Sequence, residues 1–239
     1  AALPPLYHEI LELPKTDKEL EDRLEVNVAR NLRDSPGRRG WRSGFLESGV
    51  SKFNRIVERH KFRAGAYWKS YDFDSNKGRK NIFENPRGFE HAGGEIIWNL
   101  PNGLQAYLLV DSTGKRLDEA PVSIVFTTQG NDPVIRNGLS CMACHTAGMK
   151  EFKDRAGELH LALKIASFDN AKDKDFALAL YPAAKIVNAL VVQDKETFEK
   201  AVLELGGVLG GREPIELLAE RFDEPLGPKM AAAEMGLDE

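Results

Sequence analysis

Gly94-Glu95-Ile96-Ile97-Trp98-Asn99-Leu100 and Leu104-Gln105-Ala106-Tyr107-Leu108-Leu109-Val110 flank Pro101-Asn102-Gly103. Two runs of β-formers around a Pro/Asn/Gly turn read as an antiparallel hairpin, because Asn and Gly accept the left-handed backbone that a tight turn requires. A second turn at Asp111-Ser112-Thr113-Gly114 and a candidate third strand over Val122-Ser123-Ile124-Val125-Phe126 extend the hairpin into a small antiparallel sheet. Upstream, Tyr67, Trp68, Tyr71, Phe73, Phe83 and Phe89 form a dense aromatic cluster, which reads as core packing or as one wall for a flat ligand. Together these segments make residues 66–137 a β-rich zone.

The flanking zones read as helical. In residues 1–65, Thr16 followed by Glu19 forms a capping box, and Leu20, Leu24, Val28 and Leu32 repeat along one helical face until Ser35-Pro36-Gly37. The spacing of Phe53, Val57 and His60 predicts a second helix over Ser51–Phe62, with His60 pointing inward. Between them Arg38-Arg39-Gly40-Trp41-Arg42 reads as a solvated basic loop, with pairing to the carboxylates of a cofactor or to an acidic redox partner as the sharper reading. In residues 138–239, Phe152, Ala156, Leu159 and Leu163 form one apolar stripe and Phe176 to Tyr181 another, and Pro182 opens the next helix. Asp194 is expected to cap a helix over Glu196–Leu205, stopped by Gly206-Gly207, and one more helix is expected over Pro214–Arg221. The fold expected is α+β, with helical N- and C-terminal zones around a small antiparallel sheet. The whole chain is read as one domain, and its end as cut from a longer protein.

At 42% hydrophobic and 29% charged, the 239 residues have ordinary globular composition. A net charge of −4 provides no basic field to hold nucleic acid. Apolar runs such as Ile186 to Val192 fall far short of the roughly 20 residues of a membrane span, so none is expected.

Both cysteines lie in one pentapeptide, Cys141-Met142-Ala143-Cys144-His145. This CxxCH spacing is the attachment signature of c-type haem. Two thiols three positions apart add to the two vinyl groups of a porphyrin, and the next residue swings its imidazole under the iron. Zinc is the alternative for Cys141, Cys144 and His145, but adjacent Cys and His fit one tetrahedron poorly and no second ligand pair stands at finger spacing. A thioredoxin-type pair would leave His145 without a role. The cofactor expected is therefore one covalent haem c, held by Cys141, Cys144 and His145, with His145 as proximal iron ligand.

Beyond the motif, the runs Gly65-Ala66-Tyr67-Trp68-Lys69-Ser70-Tyr71-Asp72-Phe73, Gly93 to Tyr107 and Asn137-Gly138-Leu139-Ser140 resemble a mono-haem domain of secreted bacterial cytochrome-like proteins, over about residues 50–150. A fainter likeness is to the cytochrome P460 group, whose β-rich fold carries CxxCH late in the chain and keeps the distal side of the iron open. Here about ninety residues follow the motif, a departure from that pattern. The resemblance implies a periplasmic or extracellular location and a redox partner protein.

The residue across the iron from His145 decides between electron transfer and chemistry on a small ligand. His60 and His91 are the candidate distal ligands, His91 because Gly93-Gly94 behind it lets a flat group approach. Met230 and Met235 come next, while Met142, Met149, His8 and His160 read as packing, proximal-side or surface residues. A filled sixth position suits an electron carrier, which is the function expected. An open one would suit a peroxidase-like or P460-like enzyme or a gas or redox sensor, with Glu95, Arg63 and Tyr107 as acid/base or hydrogen-bonding groups.

Overall fold

The computed structural model describes residues 2–127, 132–223 and 225–237. Its centre is a five-stranded antiparallel meander, β1 (Gly40–Phe45), β2 (Arg55–Phe62), β3 (Gly65–Asp72), β4 (Gly93–Asn99) and β5 (Gln105–Asp111), each strand pairing with the next in sequence. The hairpin read from the sequence is β4–β5, with Trp98 opposite Ala106 and Ile97 opposite Tyr107. Three short helices precede the sheet: α1 (Leu6–Ile10), α2 (Asp17–Arg23) and α3 (Val28–Asp34). After it come a two-residue ribbon of β6 (Glu119–Ala120) and β7 (Ile135–Arg136), then α4 (Leu139–Cys144), α5 (Glu158–Ile165), α6 (Ala171–Leu180), α7 (Ala184–Glu204), α8 (Pro214–Asp223) and α9 (Pro228–Glu234). The α+β architecture expected from the sequence is present, with a larger sheet.

Register divides the sheet into two buried faces. His60, Tyr67 and Trp98 stand in one cross-strand row, and Ile96 and Leu108 in another on the same side. This first face packs against Tyr7, Leu13, Leu20 and Val26 of the N-terminal segment. The second face carries Val57, Trp68, Ile97, Tyr107 and Leu109, and meets Cys141, Met149 and Val191. A third cluster at the β1–β2 end joins Ile56, Tyr71 and Phe73 to Leu159, Leu163 and Tyr181.

Three expectations are corrected here. The segment Ser51–Phe62 is not a helix: residues 55–62 form β2, at the heart of the sheet. Its alternation is hidden in the sequence because the strand buries charge on both sides, Glu58 and His60 on one face and Arg59 on the other. Leu20 to Leu32 is two helices, broken where Glu25 takes a φ of 57°, although Thr16 caps the first as read, its Oγ1 accepting from Glu19 N at 3.2 Å. Val122–Phe126 is not a third strand, since its first half is a turn and the strand pairing falls at Glu119–Ala120.

Asp194 does not cap a helix. It stands inside the 21-residue α7, 5% exposed, where its two oxygens each accept a 2.7 Å bond from Arg59 and one also takes the Trp68 indole Nε1–H at 2.7 Å. The pair ties α7 to the second face of the sheet. On the first face, Glu58 is bound by Arg42 Nε and His60 Nε2 at 2.6 Å each, and Lys69 by Asp17 at 2.6 Å. Arg42 is therefore a strand residue, its side chain 11% exposed, and not part of a solvated loop.

The stretch Ala171–Glu204 is apolar enough by composition to span a membrane, with a mean hydropathy of 1.5 over 18 residues. Tyr181-Pro182-Ala183 breaks it into α6 and α7, and Ala177, Leu180, Val187, Val191 and Phe198 are buried against the rest of the fold. This agrees with the expectation of no membrane span.

Two outcomes follow from the buried charges. Asp194→Ala leaves the Arg59 guanidinium buried without its anion and should cost about 3–5 kcal/mol in urea unfolding, far more than an exposed ion pair. Burial works to raise the Glu58 carboxyl, but Arg42 and His60 outweigh it and hold the group at about 2, against its ordinary 4.5. A depressed carboxylate contributes stability that is complete above 4.5 and lost as pH falls toward 2. Urea midpoints measured down that range should fall, and Glu58→Gln should flatten that part of the profile.

Candidate functional site

The CxxCH pentapeptide occupies α4 and its C-cap, and the residues just before it explain its placement. Asn137 is fully buried; its Oδ1 accepts from Leu109 N at 3.3 Å, and its amide nitrogen lies 2.8 Å from His8 Nε2. Gly138 follows with a φ of +88°, and a Cβ there would stand 2.6 Å from the Tyr7 ring. Tyr7 in turn brackets the edge of β5, its hydroxyl accepting from Tyr107 N at 3.0 Å and reaching Tyr107 O at 3.2 Å. The open edge of the sheet is thus closed by Tyr7 and Asn137, and the same contacts start α4 against the second face.

Between α4 and that face lies a cavity of about 420 Å³, a size typical of ligand and cofactor sites. Cys141, Cys144 and His145 all line it. Val57, Trp68, Ile97 and Leu109 form much of its floor, Phe45 and Phe152 one side, and Arg55, Ser70, Asp72 and Glu95 a polar end. His145 Nδ1 lies 3.0 Å from the Gly148 carbonyl, so Nδ1 carries the proton and Nε2 is left with a free lone pair. Nε2 points toward Glu95, whose Oε2 is 3.9 Å away, and the Tyr107 ring packs beside the imidazole with centroids 5.8 Å apart.

The electrostatics suit a neutral imidazole and a protonated Cys141 thiol. Burial lowers the His145 pKa, against the opposing pull of Glu95. Burial pushes the Cys141 thiol well up, and the negative charge of Glu95 pushes the same way. Lys150 Nζ donates to Cys144 Sγ at 2.9 Å. Asp72 is raised by burial, opposed by Arg55. Arg55 Nε and Asp72 Oδ1 stand 2.9 Å apart as a charge pair, yet both are buried without a well-directed hydrogen bond.

The other sequence candidates are not brought to this cavity. His60 stands on the opposite face of the sheet, 0% exposed, between Glu58 and Asn31, so the sheet itself separates it from His145. His91 turns toward the Tyr71 and Phe89 rings, at 5.0 Å and 6.5 Å, on that same far side. Gly93-Gly94 does line the cavity, but a Cβ at Gly94 would lie 1.9 Å from the Ser70 carbonyl, so backbone crowding alone requires that glycine. His8 is bound to Asn137 and His160 to the Tyr181 carbonyl. Of the five histidines, His145 alone lines the cavity.

Met149 lines it too, on the segment that follows His145, whereas Met230 and Met235 lie on or just after α9, with Met235 67% exposed. Arg38 and Arg39 are in an exposed turn and Arg63 is in the exposed β2–β3 turn. Residues that sequence reasoning passed over are Arg55, Ser70 and Asp72; their alternation along β2 and β3 was the available signal, lost once residues 51–62 were read as helix.

The site fits the group that the motif implies. Two sulfurs and one imidazole nitrogen with a fixed tautomer line one largely apolar cavity, and a buried charge pair at its polar end lacks full hydrogen bonding. Among the described residues no group of three or more His, Cys, Asp or Glu stands together as a metal-ligand cluster. Comparison with known protein families, curated proteins and solved structures finds no match, so the functional reading rests on this geometry.

Gly138→Ala tests the anchoring of the motif. It forces a non-glycine residue to positive φ, about 1–2 kcal/mol by itself, and adds the clash with Tyr7. Urea unfolding should show a loss above that range, and Tyr7→Ala in the same chain should recover part of it.

Proposed function

We propose that the chain is a mono-haem c-type cytochrome that transfers electrons, acting in the periplasm or outside the cell with a partner redox protein. The observation that carries this reading is that Cys141, Cys144 and His145 line one cavity with the Nε2 lone pair of His145 turned into it. When bound, the haem supplies a one-electron couple at its iron. Cys141 and Cys144 would tether it as thioethers, and His145 would ligate through Nε2. The Gly148 carbonyl fixes the imidazole tautomer and orientation, the usual service of an outer partner to a ligating histidine. Phe45, Val57, Trp68 and Ile97 would exclude water from a bound ring, which would keep solvent reorganisation small during electron exchange.

A second reading, a haem enzyme of peroxidase or P460 type or a gas or redox sensor, gains support from one observation. His60 and His91 are both screened from the cavity, so no second imidazole is at hand to close the sixth position. Arg55, Ser70, Asp72 and Glu95 would then be the polar groups beside a small ligand.

Purified protein should carry covalent haem that survives denaturation, and should be reduced and reoxidised reversibly. Cys141→Ala or Cys144→Ala should leave one thioether or lose the haem, and His145→Ala should abolish the normal axial spectrum. A variant with an unchanged spectrum sinks the motif reading. Carbon monoxide separates the two roles: a reduced spectrum that ignores it supports the carrier, and one that shifts supports small-ligand chemistry.

A further inference from the structure

We propose that Glu95 is the sixth ligand of the oxidised iron, its carboxylate standing trans to His145. This rests on the haem reading above, and a sixth side that opens on reduction would admit carbon monoxide, the outcome that favours the small-ligand role. A metal centre that accepts an imidazole nitrogen on one side and a carboxylate oxygen on the other needs about 4 Å between them, from metal–ligand bonds of about 2.0–2.2 Å each. His145 Nε2 and Glu95 Oε2 are 3.9 Å apart and line the same cavity. Of the candidates read from the sequence, His60 and His91 lie beyond the sheet, and Met149 follows His145 by four residues, on the segment whose Gly148 carbonyl holds the back of the imidazole.

One detail of the surroundings prepares Glu95 for this place. Its backbone N–H donates to Ser70 Oγ at 2.8 Å, and that hydroxyl donates to Asp72 Oδ2 at 3.0 Å, which fixes the β4 backbone where the side chain leaves it.

A carboxylate is a hard, anionic donor and favours the higher oxidation state over imidazole or thioether. It stabilises ferric iron, and reduction by the partner weakens its hold, so one residue closes the sixth side when oxidised and frees it when reduced.

The test uses the full-length haem-bearing protein, with covalent haem checked in each variant. Oxidised wild type should be high-spin by absorption and paramagnetic resonance. Glu95→Gln should alter that spectrum and raise the ferrous-to-ferric ratio at fixed potential about tenfold, which is 59 mV for a one-electron couple. Glu95→Asp, which keeps the charge but is one methylene shorter, should shift the potential less. Glu95→His should convert the iron to a low-spin bis-imidazole form, an effect that a merely structural Glu95 would not give. A ferric spectrum and midpoint identical in wild type and Glu95→Gln overturn the proposal, as does a low-spin wild-type spectrum that persists in Glu95→Gln. A purified protein without covalent haem overturns the functional reading instead, and this proposal falls with it.

Discussion

The side chain of Asn137 is the junction on which the site depends. One buried carboxamide joins the edge of β5 through Leu109 N and the N-terminal helix through His8, while its own backbone N–H donates to Asp118 O at 2.8 Å. An amide can satisfy donors and acceptors together, which is why it serves where three segments with mixed polar needs meet without water. Gly138 then turns the chain into α4 in a conformation open only to a residue without a side chain. The short Asn-Gly step before the cysteines is thus the device that sets both thiols and the imidazole over the second face of the sheet.

The sheet offers unlike environments on its two sides. One side is tied to the N-terminal helices by charge pairs sunk among aromatics, Arg42 with Glu58 and Lys69 with Asp17. The other side is mostly apolar in the middle, polar at one end, and joined to α7 by Arg59 and Asp194. Ion pairs buried this way contribute little net stability compared with apolar packing, but they penalise any shift in strand register, since a one-residue slip would strand every charge on the wrong face. The cavity needs that exactness of register, because Glu95 reaches His145 only if β4 is seated as observed.

The legible parts of the sequence were those governed by local rules. The β4–β5 hairpin announced itself through Pro101-Asn102-Gly103, α2 through its Thr16 cap, and the motif through its own five residues. What escaped was set by distant partners. β2 looked helical because Glu58, Arg59 and His60 hide the two-residue period, and their burial makes sense only with Arg42, Asp194 and Asn31 in view. Asp194 looked like a cap because a short acidic residue before Glu196 is the usual sign of one, and nothing local reveals Arg59, 135 positions away. His60 was correctly expected to point inward, but a period-four reading cannot say which side of a sheet that is. Glu95 was noticed as a candidate acid/base group, and only the tertiary structure brings it opposite His145.

The contacts that frame the cavity span very large loops of chain: Tyr7 to Tyr107 over 100 residues, His8 to Asn137 over 129, and Arg59 to Asp194 over 135. Closing loops of that size comes late and slowly in folding, because chain entropy is lost before the contacts return it. Cys141 and Cys144 are free thiols with only two residues between them, and one is fully enclosed once the fold is complete. The interval before those loops close is therefore when both sulfurs are open to attack from outside, and folding rate sets the time available for the chain to be modified.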